Sequence, residues 1–165
     1  MNSKKWFKFI SQNNEQSKKV LGFILLWMDF DESVSQWVET QNDTIKGFCK
    51  LKQFQSFFSN ELSSAYDRLR WSFVEKFSHI SGGERQEGLR IGMYTDLRCV
   101  YYRNKPQDSS SDRYAEILYS IRNNFFHGSK ETSPNNIELI CWAFDTLSEL
   151  LNSQDSSYLS KHDIF

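Results

Sequence analysis

The segment Ile121-Arg-Asn-Asn-Phe-Phe-His-Gly128 closes the apolar pattern around which the rest of the chain is organised. The apolar residues leading into it are spaced three and four apart, as on one face of a helix: Tyr114, Ile117, Leu118, Ile121 and Phe125. Gly128 directly follows His127, and glycine commonly ends helices in the left-handed conformation. The spacing therefore predicts a buried helix whose last turn presents Arg122, Asn123 and His127 together.

Similar spacing in three other parts of the chain predicts further helices. A long helix is expected from about Glu15, and a last helix is expected to start with Ser133 as its cap. Between them, Asp43 can cap a helical pattern that runs towards Ile80. The sequence leaves open whether this middle stretch is one helix or two, broken near residues 59–60.

The composition agrees with an all-α fold in one domain. A chain of 165 residues with only 2 Pro and 7 Gly is poor in the turns that an all-β protein needs, and its 14 Phe indicate a core filled mostly by rings. We expect an up-and-down bundle of four to five helices over residues 15–152. Residues 1–14 form a basic and aromatic segment, either a loose start or a short helix, and residues 153–165 form a polar tail.

A second apolar stripe on the long helix comprises Leu21, Leu25 and Met28. A helix that is apolar on two sides is covered on both of them. The stripe is therefore either packed in the core or part of an interface with a partner subunit, and the sequence leaves these alternatives open.

Charge and cysteine usage exclude several classes of protein. The net charge of −1 gives no overall basic field, although lysines are concentrated in the first 20 residues. No signal peptide and no run long enough to span a membrane is present, so we expect a cytoplasmic protein. Cys49 and Cys141 fall in apolar helical patterns and are expected to be buried, reduced thiols. No metal-ligand spacing occurs, and no cofactor is expected.

The polar residues of the opening segment suit the chemistry of a phosphodiester. A guanidinium such as that of Arg122 can donate to two phosphate oxygens at once and stabilise the charge that builds up on them. His127 lies where the helix dipole favours an imidazolium, which can move a proton near neutral pH. Asn123 and His127 are four residues apart and so are neighbours on one face. The alternative is a capping pair in which Arg122 is held in a salt bridge.

The segment Ile121–Gly128 resembles the Arg-x4-6-His motif of the HEPN superfamily, with Arg122 and His127 as the motif pair. Asn123 matches the polar residue that often follows the arginine. The long first helix, with Phe23-Ile-Leu-Leu-Trp-Met-Asp-Phe30, resembles the opening of the same group. HEPN toxins that are paired with a nucleotidyltransferase antitoxin often carry a tyrosine two residues before the histidine, whereas this chain has Phe125 there.

The resemblance implies a helical bundle that forms a homodimer and brings two Arg/His pairs into one cleft. Many members are metal-independent ribonucleases of toxin–antitoxin or antiviral defence systems, so RNA is the implied substrate and an antitoxin or defence protein a possible partner. Arg122, His127 and Asn123 are the candidate catalytic residues, and the candidate RNA contacts are Asn124, Lys130, Arg98 and Arg103. A HEPN module that binds RNA, nucleotide or protein without cleavage is the alternative, and an unrelated helical scaffold is a third reading.

Overall fold

The computed structural model describes residues 3–68, 111–126 and 132–153, and every regular element in these ranges is helical. The helices are α1 (Ser3–Ile10), α2 (Glu15–Glu39), α3 (Asp43–Lys46), α4 (Lys50–Phe57), α5 (Ser111–Phe126) and α6 (Pro134–Ser153). A π turn (Phe58–Leu62) extends α4, and the chain stays helical to residue 68. The prediction of an all-α protein is confirmed for these residues.

The sequence around the α1–α2 turn explains why two helices form there. The Asn14 side chain accepts a hydrogen bond from the Ser17 backbone N–H at 2.8 Å, which caps α2. The preceding residue, Asn13, has a φ of 53°, a left-handed conformation that asparagine tolerates better than most residues. This turn reverses the chain, so α1 folds back and packs on α2.

Of the two other predicted helix starts, one is confirmed and one is wrong. Ser133 caps α6, because its hydroxyl oxygen accepts from the Asn136 backbone N–H at 3.3 Å. Asp43 does not cap a helix. The cap is Asn42, whose side chain accepts from the Ile45 backbone N–H at 3.1 Å, and it starts the four-residue helix α3.

As far as residue 68, the middle stretch is a short helix followed by a longer one, and residues 59–60 do not break the latter. The predicted continuation towards Ile80 lies outside the described residues. Residues 59–60 lie in the π turn, which adds a residue to one turn and so shifts the apolar face. Phe58 and Leu62 are fully buried as a result. Glu61, from the same turn, accepts a hydrogen bond from the Trp37 indole N–H at 2.9 Å and ties the turn to α2.

The core is built from rings, as the composition predicts. Trp27 of α2 stacks on Phe54 of α4 with ring centroids 5.1 Å apart and an interplanar angle of 23°. Phe30 meets the same Phe54 ring edge-on at 5.0 Å, and Tyr119 of α5 lies 5.5 Å from it. Helix α2 packs along α6, while α4 packs against α5, so α5 is held by rings from both α2 and α4.

The stripe of Leu21, Leu25 and Met28 is not core. These side chains are 38%, 48% and 61% exposed, on the side of α2 that faces away from α4, α5 and α6. Of the two alternatives that the sequence left open, packing in the core is therefore excluded. In the described ranges, no helix is both long and apolar enough to cross a membrane.

Candidate functional site

Helix α5 buries the face that its sequence predicts. Its described buried side chains are Ala115, Ile117, Leu118, Ile121 and Phe125. The described part of the helix runs to Phe126. Because Ile121 and Phe125 are fixed in the core on either side of them, Arg122 and Asn123 lie at the boundary between core and solvent, and both are half-buried.

The guanidinium of Arg122 lies between two rings of its own helix. Its Cζ is 5.3 Å from the centroid of the Phe126 ring and 6.0 Å from that of Tyr119. These residues are four positions after and three before Arg122, so all three share one face of α5. A cation over an aromatic face is attracted by the ring quadrupole, which holds the guanidinium in place.

The positive charge of Arg122 is not neutralised by a carboxylate among the described residues. Its Nη1 donates to the Asn123 side-chain oxygen at 2.9 Å, and this acceptor is neutral. The Nε–H is buried and has no acceptor in the described part of the chain. A guanidinium has five N–H donors and no acceptor. A salt-bridged arginine, as the capping alternative requires, is therefore not what these residues form.

The side chain of Asn123 accepts a hydrogen bond from Arg122 and thereby fixes the orientation of the guanidinium. The bond runs from Nη1 to the carbonyl side of the Asn123 amide and is short enough, at 2.9 Å, to hold one edge of the guanidinium. Among the described residues, no other acceptor takes a hydrogen bond from the guanidinium. In this arrangement Asn123 acts as a positioning residue for Arg122.

Most other predicted site residues lie outside the described residues. These are His127 and Gly128 of the motif, together with Lys130, Arg98 and Arg103. Asn124 is part of α5, but its side chain is not among those described. The structure therefore brings together Arg122 and Asn123, and the pairing of Arg122 with His127 remains a prediction from the motif.

Sequence reasoning missed Trp6, which supports this end of α5 from the N-terminal segment. Trp6 is fully buried, and its ring meets that of Phe125 edge-on at 4.9 Å. Phe9 packs on the other side of Trp6 at 6.0 Å. The spacing of Trp6, Phe9 and Ile10 by three and four residues is the signal that could have identified a buried helix face here.

The two cysteines in the described ranges differ in their exposure. Cys141 is buried, as predicted, and burial raises the pKa of its thiol to about 11, so it stays protonated. The prediction that Cys49 is buried is wrong. It precedes the first residue of α4 and is exposed, because the turn between α3 and α4 leaves it at the surface.

Close to Cys141, a partly buried ion pair joins α2 to α6. The Lys19 ammonium lies 2.8 Å from the Asp145 carboxylate. Burial acts to lower the pKa of Lys19, but the hydrogen bond and charge of Asp145 outweigh it and raise that pKa. Across residues 3–68, 111–126 and 132–153, no group of three His, Cys, Asp or Glu side chains is arranged to hold a metal ion.

The arrangement suits the binding of an oxyanion at the end of α5. Arg122 presents a cation that no described carboxylate neutralises, and its planar guanidinium matches two oxygens of a phosphate or carboxylate. Comparison with protein-family models, with curated proteins and with solved structures finds no match to this chain. The chemistry of the residues is thus the basis for any statement about function.

Proposed function

We propose that the protein is a metal-independent endoribonuclease of the HEPN type that cleaves RNA with Arg122 and His127. The observation that carries this proposal is the Arg122 guanidinium, clamped between Tyr119 and Phe126 with a neutral amide as its bonded partner. Keeping a half-buried arginine without a carboxylate has a cost in stability, which an anionic substrate would offset. The motif resemblance supplies His127.

The reaction is a transfer of the phosphodiester within the RNA strand. The 2′-hydroxyl oxygen attacks phosphorus, the bond from phosphorus to the 5′-oxygen breaks, and a 2′,3′-cyclic phosphate end remains. One histidine takes the proton of the 2′-hydroxyl, and a second gives a proton to the departing 5′-oxygen. Arg122 binds the non-bridging oxygens and stabilises their growing charge. Asn123 keeps Arg122 oriented.

A homodimer with a composite cleft provides the two histidines that the two proton transfers need. Base and acid act on opposite sides of the phosphorus, and one imidazole rarely serves both. A twofold axis near the end of α5 brings in a second copy of the same residues. The cleft then holds two Arg122/His127 pairs.

The exposed stripe on α2 does not fit the interface of such a dimer. Helix α5 lies on the other side of α2, where Phe125 meets Phe23 at 6.2 Å and Tyr119 meets Trp27 at 6.4 Å. Packed helices lie about 8–10 Å apart, so pairing two copies through the outer face of α2 separates the two α5 helices by roughly 25–30 Å. Two Arg122/His127 pairs at that separation cannot act on one phosphodiester.

The biological setting that goes with this activity is a toxin–antitoxin or antiviral defence system in the cytoplasm. A nuclease of this kind needs a partner protein that restrains or triggers it. Phe125 bears on the type of restraint, because it lacks a hydroxyl and its ring is buried. An antitoxin that modifies a tyrosine at this position is therefore not part of the proposal.

Incubation with RNA in the presence of EDTA tests the proposal. We expect cleavage that leaves 2′,3′-cyclic phosphate ends and that is lost in Arg122→Ala and His127→Ala while circular dichroism shows both variants folded. Lys52→Ala, which removes an exposed cation from α4, is the matched control and should cleave normally. Intact RNA that still binds in an Arg122-dependent way would instead favour a HEPN binding module. If RNA is neither bound nor cleaved, the remaining interpretation is that the protein is an unrelated helical scaffold.

A further inference from the structure

We propose that helix α1 is a binding surface for the phosphate backbone of single-stranded RNA, next to the site at the end of α5. The surface consists of Lys4, Lys5, Phe7 and Lys8, and it extends onto α2 through Lys18. The inference rests on the proposed function and specifies how the substrate is held. It assigns a role to the N-terminal segment, which the motif pair does not involve.

Helix α1 buries one face and exposes its three lysines. Trp6 is buried, and Phe9 and Ile10 are half-buried against the core. Lys4 and Lys8 are four positions apart and both exposed, so they are neighbours on the opposite face. Phe7 lies on that same outer face and is 75% exposed.

The positive charges on the outer face of α1 are not balanced by carboxylates within the described structure. In the parts of the chain that are described, none of Lys4, Lys5, Lys8 and Lys18 forms an ion pair, and α1 contains no acidic residue. Lys19 differs, since Asp145 neutralises it. Two like charges four residues apart weaken a helix slightly. A polyanion that contacts both of them removes this repulsion and releases its counterions.

Ring contacts on the buried face of α1 place this helix next to the turn of α5 that carries Arg122. Trp6 touches Phe125 at 4.9 Å, Phe125 touches Phe126 at 5.4 Å, and the Arg122 Cζ lies 5.3 Å from the Phe126 ring. Helix α1 and the guanidinium are thus joined by a packed path through Trp6, Phe125 and Phe126. A strand that has a phosphate at Arg122 and continues around α1 would reach the lysines on its outer face.

The exposed ring of Phe7 favours a single strand as the occupant. Bases of single-stranded RNA stack on aromatic side chains while lysines follow the backbone, and this surface offers both within two turns of helix. An anionic membrane is the competing occupant for a basic helix with rings. Trp6 is buried, however, which leaves Phe7 as the exposed ring of the eight-residue helix.

The test measures binding and cleavage separately in the full chain. The triple variant Lys4→Gln/Lys5→Gln/Lys8→Gln is compared with wild type on a dinucleotide and on a single strand of about 16 nucleotides. The matched control is Lys46→Gln/Lys50→Gln/Lys52→Gln, which removes the same charge from exposed positions of α3 and α4. These positions come after the C-terminal end of α2. That end lies about 37 Å from the N-terminal end of the same helix.

We expect the α1 variant to bind the long strand at least tenfold more weakly and to cleave the dinucleotide as wild type does. The slope of log affinity against log salt should fall by about 0.7 for each phosphate that the variant no longer neutralises. Phe7→Ser should weaken binding of the long strand about tenfold, and Phe7→Trp should preserve it.

Two results would overturn the inference in distinguishable ways. If wild type cleaves RNA and the α1 variant binds the long strand as well as the control does, the surface is not used while the nuclease proposal stands. If wild type neither binds nor cleaves RNA, both proposals fail. In the latter case, Lys4-dependent cosedimentation with phosphatidylserine-rich vesicles would identify a membrane as the occupant.

Discussion

The ring of Trp6 meets that of Phe125 edge-on, with centroids 4.9 Å apart and planes at 90°. This contact joins the first helix of the protein to the last turn of α5. Phe125 packs in turn on Phe126, one of the two rings that clamp Arg122. The N-terminal segment thereby determines how firmly the candidate site is held.

Replacing Trp6 by alanine should destabilise the fold and loosen the site. Removal of a buried tryptophan costs about 3–5 kcal/mol, because its burial is forfeited and a cavity stays behind. We expect a decrease of this size in the free energy of unfolding, measured by urea denaturation. Cleavage should also fall at temperatures where the variant is still folded, because the end of α5 loses its support.

Phe7→Ala is the control for this prediction because it truncates the adjacent ring of the same helix. Phe7 is 75% exposed, so the free energy of unfolding should change by no more than about 0.5 kcal/mol. Equal destabilisation by the two substitutions would show that Trp6 does not anchor α1 as the structure indicates.

Substitution of Asn123 tests whether RNA binding requires that no carboxylate lies next to the Arg122 guanidinium. In Asn123→Asp, a carboxylate replaces the oxygen that accepts from Nη1 at 2.9 Å, and the resulting ion pair competes with phosphate. We expect RNA binding and cleavage to fall by about tenfold or more. Asn123→Ala removes the orienting bond without adding charge, and its effect should be smaller.

Gln41→Glu adds the same negative charge near the far end of α2 and should leave RNA binding unchanged. Asn123→Asp and Asn123→Ala can be compared directly by fluorescence anisotropy with a labelled RNA. An Asn123→Asp variant that binds and cleaves as well as wild type would contradict the role given to Arg122.

The helices were predictable because their signals are local. The apolar spacing of α5 and the Ser133 cap lie within a few residues along the chain, and both are confirmed. The sequence does not decide between a loose start and a short helix for α1, since an eight-residue helix is marginal in isolation and depends on tertiary contacts. Its contact is with Phe125, more than a hundred residues away, and no local pattern reveals it.

The site was predictable in its residue types but not in its electrostatics. Tyr119 lies three residues before Arg122 and Phe126 lies four residues after it. This spacing in the sequence is enough to predict that the two rings lie beside the guanidinium. The lack of a carboxylate partner for Arg122 among the described residues has no such signature in the sequence, because a partner could come from any distant acid that the fold brings near. The error at Cys49 has a similar origin, since apolar neighbours indicated burial at a position that the fold turns outward.

Alkaline pH should destabilise the protein through Cys141. Its pKa is raised from 9.0 to about 11 by burial, so between these values the unfolded state loses the proton while the folded state keeps it. The free energy of unfolding should therefore fall by about 1–2 kcal/mol as pH rises from 9 to 11. Below pH 9 this thiol contributes no pH dependence, as it is protonated in both states.

Denaturation curves of Cys141→Ala and Cys49→Ala at pH 8 and at pH 10.5 isolate this contribution. Cys141→Ala should show a weaker fall than wild type, whereas Cys49→Ala should follow wild type because its thiol is exposed. The ion pair of Lys19 with Asp145 affects stability at higher pH, because it breaks when the pH rises through the raised pKa of Lys19. Identical slopes for all three proteins would mean that Cys141 does not carry the effect.

The last prediction separates the two places where a dimer can form. Leu25→Glu puts a charge in the middle of the exposed stripe on α2. If the composite cleft lies at the end of α5, this substitution should leave both the dimer and the cleavage rate unchanged. The measurements are light scattering at micromolar concentration and cleavage of a labelled RNA, with Gln36→Glu as a control on the same side of α2.

The outcome bears on mechanism because α2 lies between the stripe and α5. Phe23 and Trp27 contact α5 from the inner side of α2, so no small tilt of the helix brings the stripe to Arg122. A Leu25→Glu protein that is monomeric and inactive would locate the interface on α2. Cleavage would then need a dimer whose two Arg122/His127 pairs are too far apart to share a phosphodiester, which contradicts the composite cleft. A dimer that survives Leu25→Glu with full activity is what the composite site requires.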